Sequence, residues 1–195
     1  MFQFPKEPRK IKQRISRYER ELRKEYEKYG FISDGYGKRY LLGPLYLILG
    51  DLSGAIGAFE WFEETFPDDI GDPFHYLCWT LALYRSDDMA GATLRLRQTM
   101  LSNLYVIPHL LGLEQDELDI WHSSNIEQKD YAQNALPEIW ALWDEQALEW
   151  ARETYESPEL CQVRARYIEI HRQLKTEPLG PKRGQLVEES FRLRI

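Results

Sequence analysis

The side chains that could do chemistry in this 195-residue sequence are four histidines, two cysteines and a few adjacent carboxylates, and their spacing argues against most reactions. His75 and Cys78 stand three apart, which puts two metal donors on one helical face. A zinc site needs about four ligands, and His109, His122 and His171 stand in no metal-binding spacing, so no metal is expected. Cys78 lies among Leu77, Trp79 and Leu81, an apolar setting that keeps a thiol protonated and inert. Glu63-Glu64 and Asp68-Asp69 are paired carboxylates, the raw material of general acid and base work, but as sequence neighbours they read as solvated helix ends. The chain has no GxSxG elbow, Walker loop or GxGxxG. Asp34-Gly35-Tyr36-Gly37-Lys38 precedes a helix and offers backbone N–H groups to an anion, yet without a preceding strand it reads as a turn. Neither catalysis nor a cofactor is expected.

The elements that would have to position any site are helices. Ile11, Ile15, Tyr18, Leu22 and Tyr29 make one apolar stripe between Pro8 and Lys28, and Gly30 ends it. A loop to Gly37 leads into a short helix over 38–49 that stops at Gly50. Asp51 or Ser53 caps the next, whose inward stripe is Ile56, Phe59, Phe62 and Phe66. Asp72-Pro73 opens a helix to about Arg85, and Asp87-Asp88 opens another to about Ser102. Ile107-Pro108 to Leu113 supplies one or two turns, and Gln115 to Ser124 is polar enough to be loop. Ile126 to Tyr155 reads as a helix with a break at Pro137, sandwiched because Ile139, Trp140, Trp143, Ala147, Leu148 and Trp150 cover two overlapping faces. Ser157-Pro158 starts a last long helix to about Leu174. Pro178, Gly180-Pro181 and Gly184 then forbid one continuous helix over 175–195, which reads as a basic tail with room for a short terminal helix. No stretch alternates at period two.

The chain is long enough for one domain with a real core, at 43% hydrophobic and 13% aromatic residues. Two cysteines are too few for a disulfide scaffold, and the longest apolar run, Tyr40 to Leu49, is half a membrane span broken by Gly43-Pro44. The opening MFQFPKEPRKIK has no apolar segment of signal-peptide length, so a cytoplasmic protein without a membrane partner is expected. The net charge of −7 is segregated. Residues 1–39 hold twelve basic and six acidic side chains, residues 164–195 eight and four, and residues 40–163 five and twenty-two. Basic ends flank an acidic body, an arrangement that steers a partner or folds the ends back on the body. Glu19, Glu21, Glu25 and Glu27 interrupt the basic helix and would repel phosphate, so no nucleic acid is expected.

The sequence also repeats itself. Gly50-Asp51-Leu52-Ser53-Gly54-Ala55 lies over Asp87-Asp88-Met89-Ala90-Gly91-Ala92 at an offset of 37, each copy following an apolar helix and opening an amphipathic one. Leu42-Gly43, Tyr46, Gly50-Asp51, Ala55, Phe59 and Pro67 resemble the tetratricopeptide repeat at its signature spacings, with Phe62 where a small alanine is usual. The second copy keeps Trp79, Leu83, Asp88, Ala92 and Leu96 but has Thr80 for the glycine and Leu104 for the proline. Asn103-Leu104-Tyr105-Val106-Ile107-Pro108-His109-Leu110-Leu111-Gly112, with Tyr131, Trp140 and Ala147-Leu148-Glu149-Trp150, is similar to the segment after the repeats in a tetratricopeptide-like group that includes relatives of the suppressor of tumorigenicity 7 proteins. The two resemblances cover about residues 38–152.

They imply an all-α helical-hairpin array, a right-handed α-α superhelix with extra N- and C-terminal helices. The expected divisions are a basic helix and loop (1–37), a repeat domain with following helices (38–155), a packing helix (156–174) and the tail (175–195). In such arrays the first helix of each pair lines a concave groove. Transfer of that rule gives Tyr40, Pro44, Leu47 and Ile48 from the first repeat and Phe74, Leu77, Leu81, Tyr84 and Arg85 from the second as the expected binding residues. The implied function is non-catalytic: a small adaptor or scaffold that binds a peptide or helix. The alternative is an acidic inhibitor that blocks a basic enzyme. An apolar trough of that size is either open to a partner or filled in cis, by Phe191, Leu193 and Ile195 or by the Ile11–Leu22 stripe.

Overall fold

The structure, a computed structural model, describes residues 4–195, so the first three residues lie outside it. The described residues are helical throughout their regular structure, with no strand among them. α1 (Pro8–Tyr29) starts with proline in its first turn, where the missing N–H leaves no bond unmade, and ends at Gly30, whose φ of 75° admits the left-handed conformation without a side-chain clash. Its stripe of Ile11, Ile15, Tyr18 and Leu22 is buried, each side chain contributing about 1.5–3 kcal/mol. A single 3₁₀ turn, Lys38–Tyr40, leads into α2 (Leu42–Leu49), and Gly50 with φ 81° closes it.

α3 (Leu52–Thr65) and α5 (Met89–Ser102) begin alike. The Asp51 carboxylate accepts from Gly54 N–H at 2.8 Å and the Asp88 carboxylate from Gly91 N–H at 2.9 Å, so the 37-residue repeat extends to the hydrogen bonds that start its second helices. α2 packs on α3, and α4 (Pro73–Arg85) packs on α5; α4 also touches both α2 and α3. α1 lies beside α2 and the Lys38–Tyr40 turn.

Within the first hairpin, a Cβ on Gly43 would lie only 2.2 Å from the edge of the Phe59 ring, so that glycine is what lets α2 and α3 cross closely. The second hairpin meets the same crossing with Thr80 and Leu96, both fully buried, with the Thr80 hydroxyl donating to the Tyr76 carbonyl at 2.9 Å. The sandwiched helix is α4. Every residue from Pro73 to Ala82 is buried, because α2, α3 and α5 enclose it and the chain after residue 125 covers what remains.

That later chain departs from expectation. The helix expected over 126–155 is four pieces: a 3₁₀ turn at Asn125–Glu127, α7 (Lys129–Ala132), α8 (Pro137–Trp140) and α9 (Glu145–Tyr155). Pro137 starts α8, and the Asp144 carboxylate caps α9 by accepting from Ala147 N–H at 2.9 Å. Upstream, the buried Asn103 amide donates to the Ile126 and Gln128 carbonyls, at 2.6 and 3.0 Å, and so holds the chain out of helical register. α6 (Val106–Leu110) and α10 (Pro158–Thr176) fall where expected. The tail is more regular than expected: α11 (Pro181–Arg192) runs through Gly184 and packs on α10. Beyond it, the Leu193 carbonyl accepts from Arg97 at 2.6 Å and the Arg194 carbonyl from Gln98 at 3.2 Å. No helix among the described residues is long and apolar enough to cross a membrane.

Candidate functional site

The residues expected to line a groove on α2 and α4 do come together, but under cover. Leu77 and Leu81 have no exposed surface, and Pro44, Leu47 and Phe74 are buried. Phe74 stacks on Tyr131 at 5.3 Å between ring centroids and meets Trp140 edge-on at 5.8 Å, while Tyr84 stacks on Trp150 at 4.8 Å. The exposed Arg85 donates to the Leu142 carbonyl at 2.6 Å, and α8 lies against α2. The covering segment is therefore 131–150, not the C-terminal Phe191, Leu193 and Ile195 and not the N-terminal stripe. Phe191 and Ile195 remain largely exposed, Leu193 lies partly buried beside α5, and the Ile11–Leu22 stripe packs beside α2. The physical reason is that 131–150 carries four aromatic residues in short helical pieces separated by turns, and three of them, Tyr131, Trp140 and Trp150, reach rings on α4.

Tyr40 and Ile48 are half-buried at the edge of this face. The Tyr40 hydroxyl donates to Asp69 at 2.8 Å, and Arg39 pairs with the same carboxylate at 2.8 Å. Burial, reinforced by that carboxylate, pushes the Tyr40 phenol up to about 12, so it stays a proton donor. Asp72 caps α4, accepting from Phe74 and His75 N–H, and also accepts from the Tyr131 hydroxyl. One aspartate thus both starts α4 and pins the cover to it. Burial raises the pKa of that carboxyl, against the pull of its three hydrogen bonds.

The histidines are dispersed. His75 is buried among Phe59, Phe62, Tyr40 and Trp79, its Nδ1 3.3 Å from the Tyr40 carbonyl, and burial lowers its pKa to about 4. His171 is buried with Nδ1 2.9 Å from the Trp121 carbonyl, and burial lowers its pKa as well. His109 is exposed beside Trp140, and His122 stands 4.0 Å from Glu127. Among the described residues no group of three or more His, Cys, Asp or Glu could hold a metal. Cys78 has no exposed surface, and burial pushes its thiol pKa up. Asp34 to Lys38 is the turn expected, its aspartate accepting from Arg39 N–H at 2.8 Å. Glu63 pairs with Arg95 at 2.6 Å across the α3–α5 boundary.

A further open space lies elsewhere, between the second half of α1 and α3. It is a groove of about 860 Å³. Leu22, Ile32, Leu42 and Tyr46 form its inner wall, and Gly54, Gly57, Ala58 and Trp61 form its floor. The Tyr46 hydroxyl donates to Glu19 at 2.6 Å, which ties α2 to α1. Gly54 has a steric cause, since a Cβ there would strike the Tyr46 ring. Gly57 has none: nothing lies within 4 Å of where its Cβ would be. Tyr26 on the α1 rim is 57% exposed, and Trp61 is only half-buried. Charge on the rim is split, with Arg23 on the α1 side and Glu64 on the α3 side. The sequence reading missed this groove. Its signal is the recurrence of Gly54, Gly57 and Ala58 at three- and four-residue spacing on the flank of α3 beside the Phe59 and Phe62 face.

No protein-family model matches this chain, and comparison with curated proteins and with solved structures finds no match.

Proposed function

We propose that this chain is a non-catalytic protein-interaction module of tetratricopeptide-like architecture, which captures a partner segment in the α1–α3 groove. The architecture is supported by the pairwise packing of α2 with α3 and α4 with α5, the lateral approach of α4 to α2 and α3, and the matching aspartate caps 37 residues apart. α1 and the chain after residue 125 act as the covers that two repeats need. The observation that carries the function is the contrast between two apolar surfaces. The face on α2 and α4 is filled by Tyr131, Trp140 and Trp150, whereas the α1–α3 groove stays open above a floor of glycine and alanine. An apolar recess of that size on an otherwise charged surface marks a binding place.

The test is affinity capture from native lysate with the wild type, Gly57→Trp and Tyr84→Ala. Gly57→Trp adds an indole at a position whose Cβ would meet nothing within 4 Å and should release the captured protein, while Tyr84→Ala should retain it. The reverse pattern would return recognition to the α2 and α4 face. Retention by both variants would refute a groove-based module.

A further inference from the structure

We infer that the outward face of α1 docks duplex DNA, its outermost row of side chains entering the major groove and its two shoulders meeting the phosphate backbones on either side. This surface is separate from the α1–α3 groove and from what that groove captures.

Helical geometry sorts the side chains of α1 by direction. Opposite the buried Ile11, Ile15, Tyr18 and Leu22 stands an exposed row, Arg9, Gln13, Ser16 and Arg20, recurring at four, three and four residues. Lys12 and Arg23 form one shoulder of that row, Arg17 and Lys24 the other, and all four are exposed. Arg9, Lys12, Gln13, Ser16, Arg17 and Arg20 border one shallow recess open to solvent. Among the described residues, Arg9, Lys12, Arg20, Arg23 and Lys24 have no acid within ion-pair distance, and Arg17 stands 3.8 Å from Glu21.

The glutamates of α1, which in the sequence argue against a phosphate partner, are sorted as well. Glu19 accepts from Tyr46 at 2.6 Å, Glu21 pairs with Lys38 at 3.1 Å and Glu25 accepts from Ser33 N–H at 3.0 Å, so all three lean toward the body and are only partly exposed. They keep their charge, but below the shoulders, where a ligand on the outer row meets the cations first. From Pro8 to Lys24 every fully exposed charged side chain is basic. Glu27 stands on the line of the row, seven residues beyond Arg20, and ends the face.

Pro8 is the one exposed apolar residue in that span, whereas a protein partner needs an apolar centre to its interface. An interfacial membrane helix inserts its apolar stripe among lipids, and the stripe of α1 is buried in the core. A polyanion needs neither, because release of its counterions drives binding. The spread of the cations then selects a duplex. A flat anionic surface meets chiefly the outer row, while the major groove of B-form DNA, about 12 Å wide, admits a helix about 10–12 Å across and flanks it with phosphates on both sides. Arginine, glutamine and serine in the row carry the donors that bond base edges on the groove floor. The acidic body opposes approach from a distance, but at physiological salt its charges are screened beyond about 8 Å.

The experiment is fluorescence anisotropy of a labelled DNA duplex of about 20 base pairs, titrated with the full chain from about 50 mM salt upward, beside sedimentation with vesicles of phosphatidylcholine and phosphatidylserine. The duplex should bind, and the four shoulder cations predict a slope of log K against log salt of about −3 to −5. Lys12→Gln with Lys24→Gln, one from each shoulder, should weaken binding by about tenfold or more at the lowest salt and flatten the slope by about 2, while Arg172→Gln on α10 and Gly57→Trp leave it unchanged. Lys12, Lys24 and Arg172 are exposed, so circular dichroism should report wild-type folding for those variants. Duplex RNA, whose major groove is too narrow for a helix, should bind about tenfold more weakly or worse. Absence of DNA binding at the lowest salt, vesicle binding in its place, equal affinity for duplex RNA, or indifference to the α1 substitutions would each overturn the inference and leave the groove reading standing.

Discussion

If the two hairpins are versions of one unit, the crossing of their helices should be interchangeable. The offset of 37 places Thr80 over Gly43 and Leu96 over Phe59, so one hairpin crosses with a glycine against a ring and the other with two side chains of middle size. Gly43→Ala alone drives a methyl into the Phe59 ring, which has no exposed surface and stacks on Trp79 at 5.3 Å, leaving it nowhere to move. Overpacking costs about 1–3 kcal/mol, and with the nearest ring atom only 2.2 Å from the added carbon this site falls at about 2–3; removal of a helix-interior glycine returns about 1, so the net loss is about 1–2 kcal/mol. Phe59→Leu alone leaves part of the ring volume empty and removes the stacking, at about 1–2 kcal/mol. Together they should not add. The methyl enters the space the ring has left, and the double variant should lose only about 1 kcal/mol, an interaction energy of about 1–3 kcal/mol in favour of the pair. Urea denaturation of the wild type, both single variants and the double variant at pH 7, with a common slope, measures all four corners. Additivity within about 0.5 kcal/mol, or a neutral Gly43→Ala, would show that this crossing does not set the approach of α2 to α3.

Two further outcomes follow from other contacts. His75 titrates at about 4 in the fold against 6.5 when free, so between these values the unfolded chain binds the extra proton and stability falls as pH falls. From pH 7 to 4.5 the wild type should lose about 2 kcal/mol more than His75→Phe does, measured by urea denaturation at both pH values, and equal losses would show that burial does not hold the imidazole neutral. Asp88→Ala removes the acceptor at Gly91 N–H and should cost about 1 kcal/mol in the same assay, with Asp88→Asn retaining most of it.

The first half of the fold is legible because its helices are punctuated locally. Pro8, Gly30, Gly50, Asp51, Asp72-Pro73 and Asp88 each act within a turn of the boundary they set, so their effect needs no knowledge of the rest of the chain. The segment from residue 103 to residue 144 is not legible in that way. Its conformation is set by Asn103 holding carbonyls 23 and 25 residues away, and by aromatic rings that settle on α4, neither of which leaves a periodic trace. The expected binding residues cluster because the repeat spacing carries them, but Tyr131, Trp140 and Trp150 lie over them rather than either end of the chain. Apolar content alone does not say which segment arrives. The α1–α3 groove was overlooked for the opposite reason. It is defined by side chains that are small, and hydrophobic patterning weights the large ones.

The bonds from Arg97 and Gln98 to the backbone of residues 193 and 194 span 96 positions of sequence. At synthesis rates of about 5–20 residues per second, that side of α5 waits roughly 5–20 s on the ribosome before its covering strand of chain exists. During that interval the Arg97 and Gln98 side chains have only water to bond, so this clasp on the second hairpin is among the last contacts the chain can make.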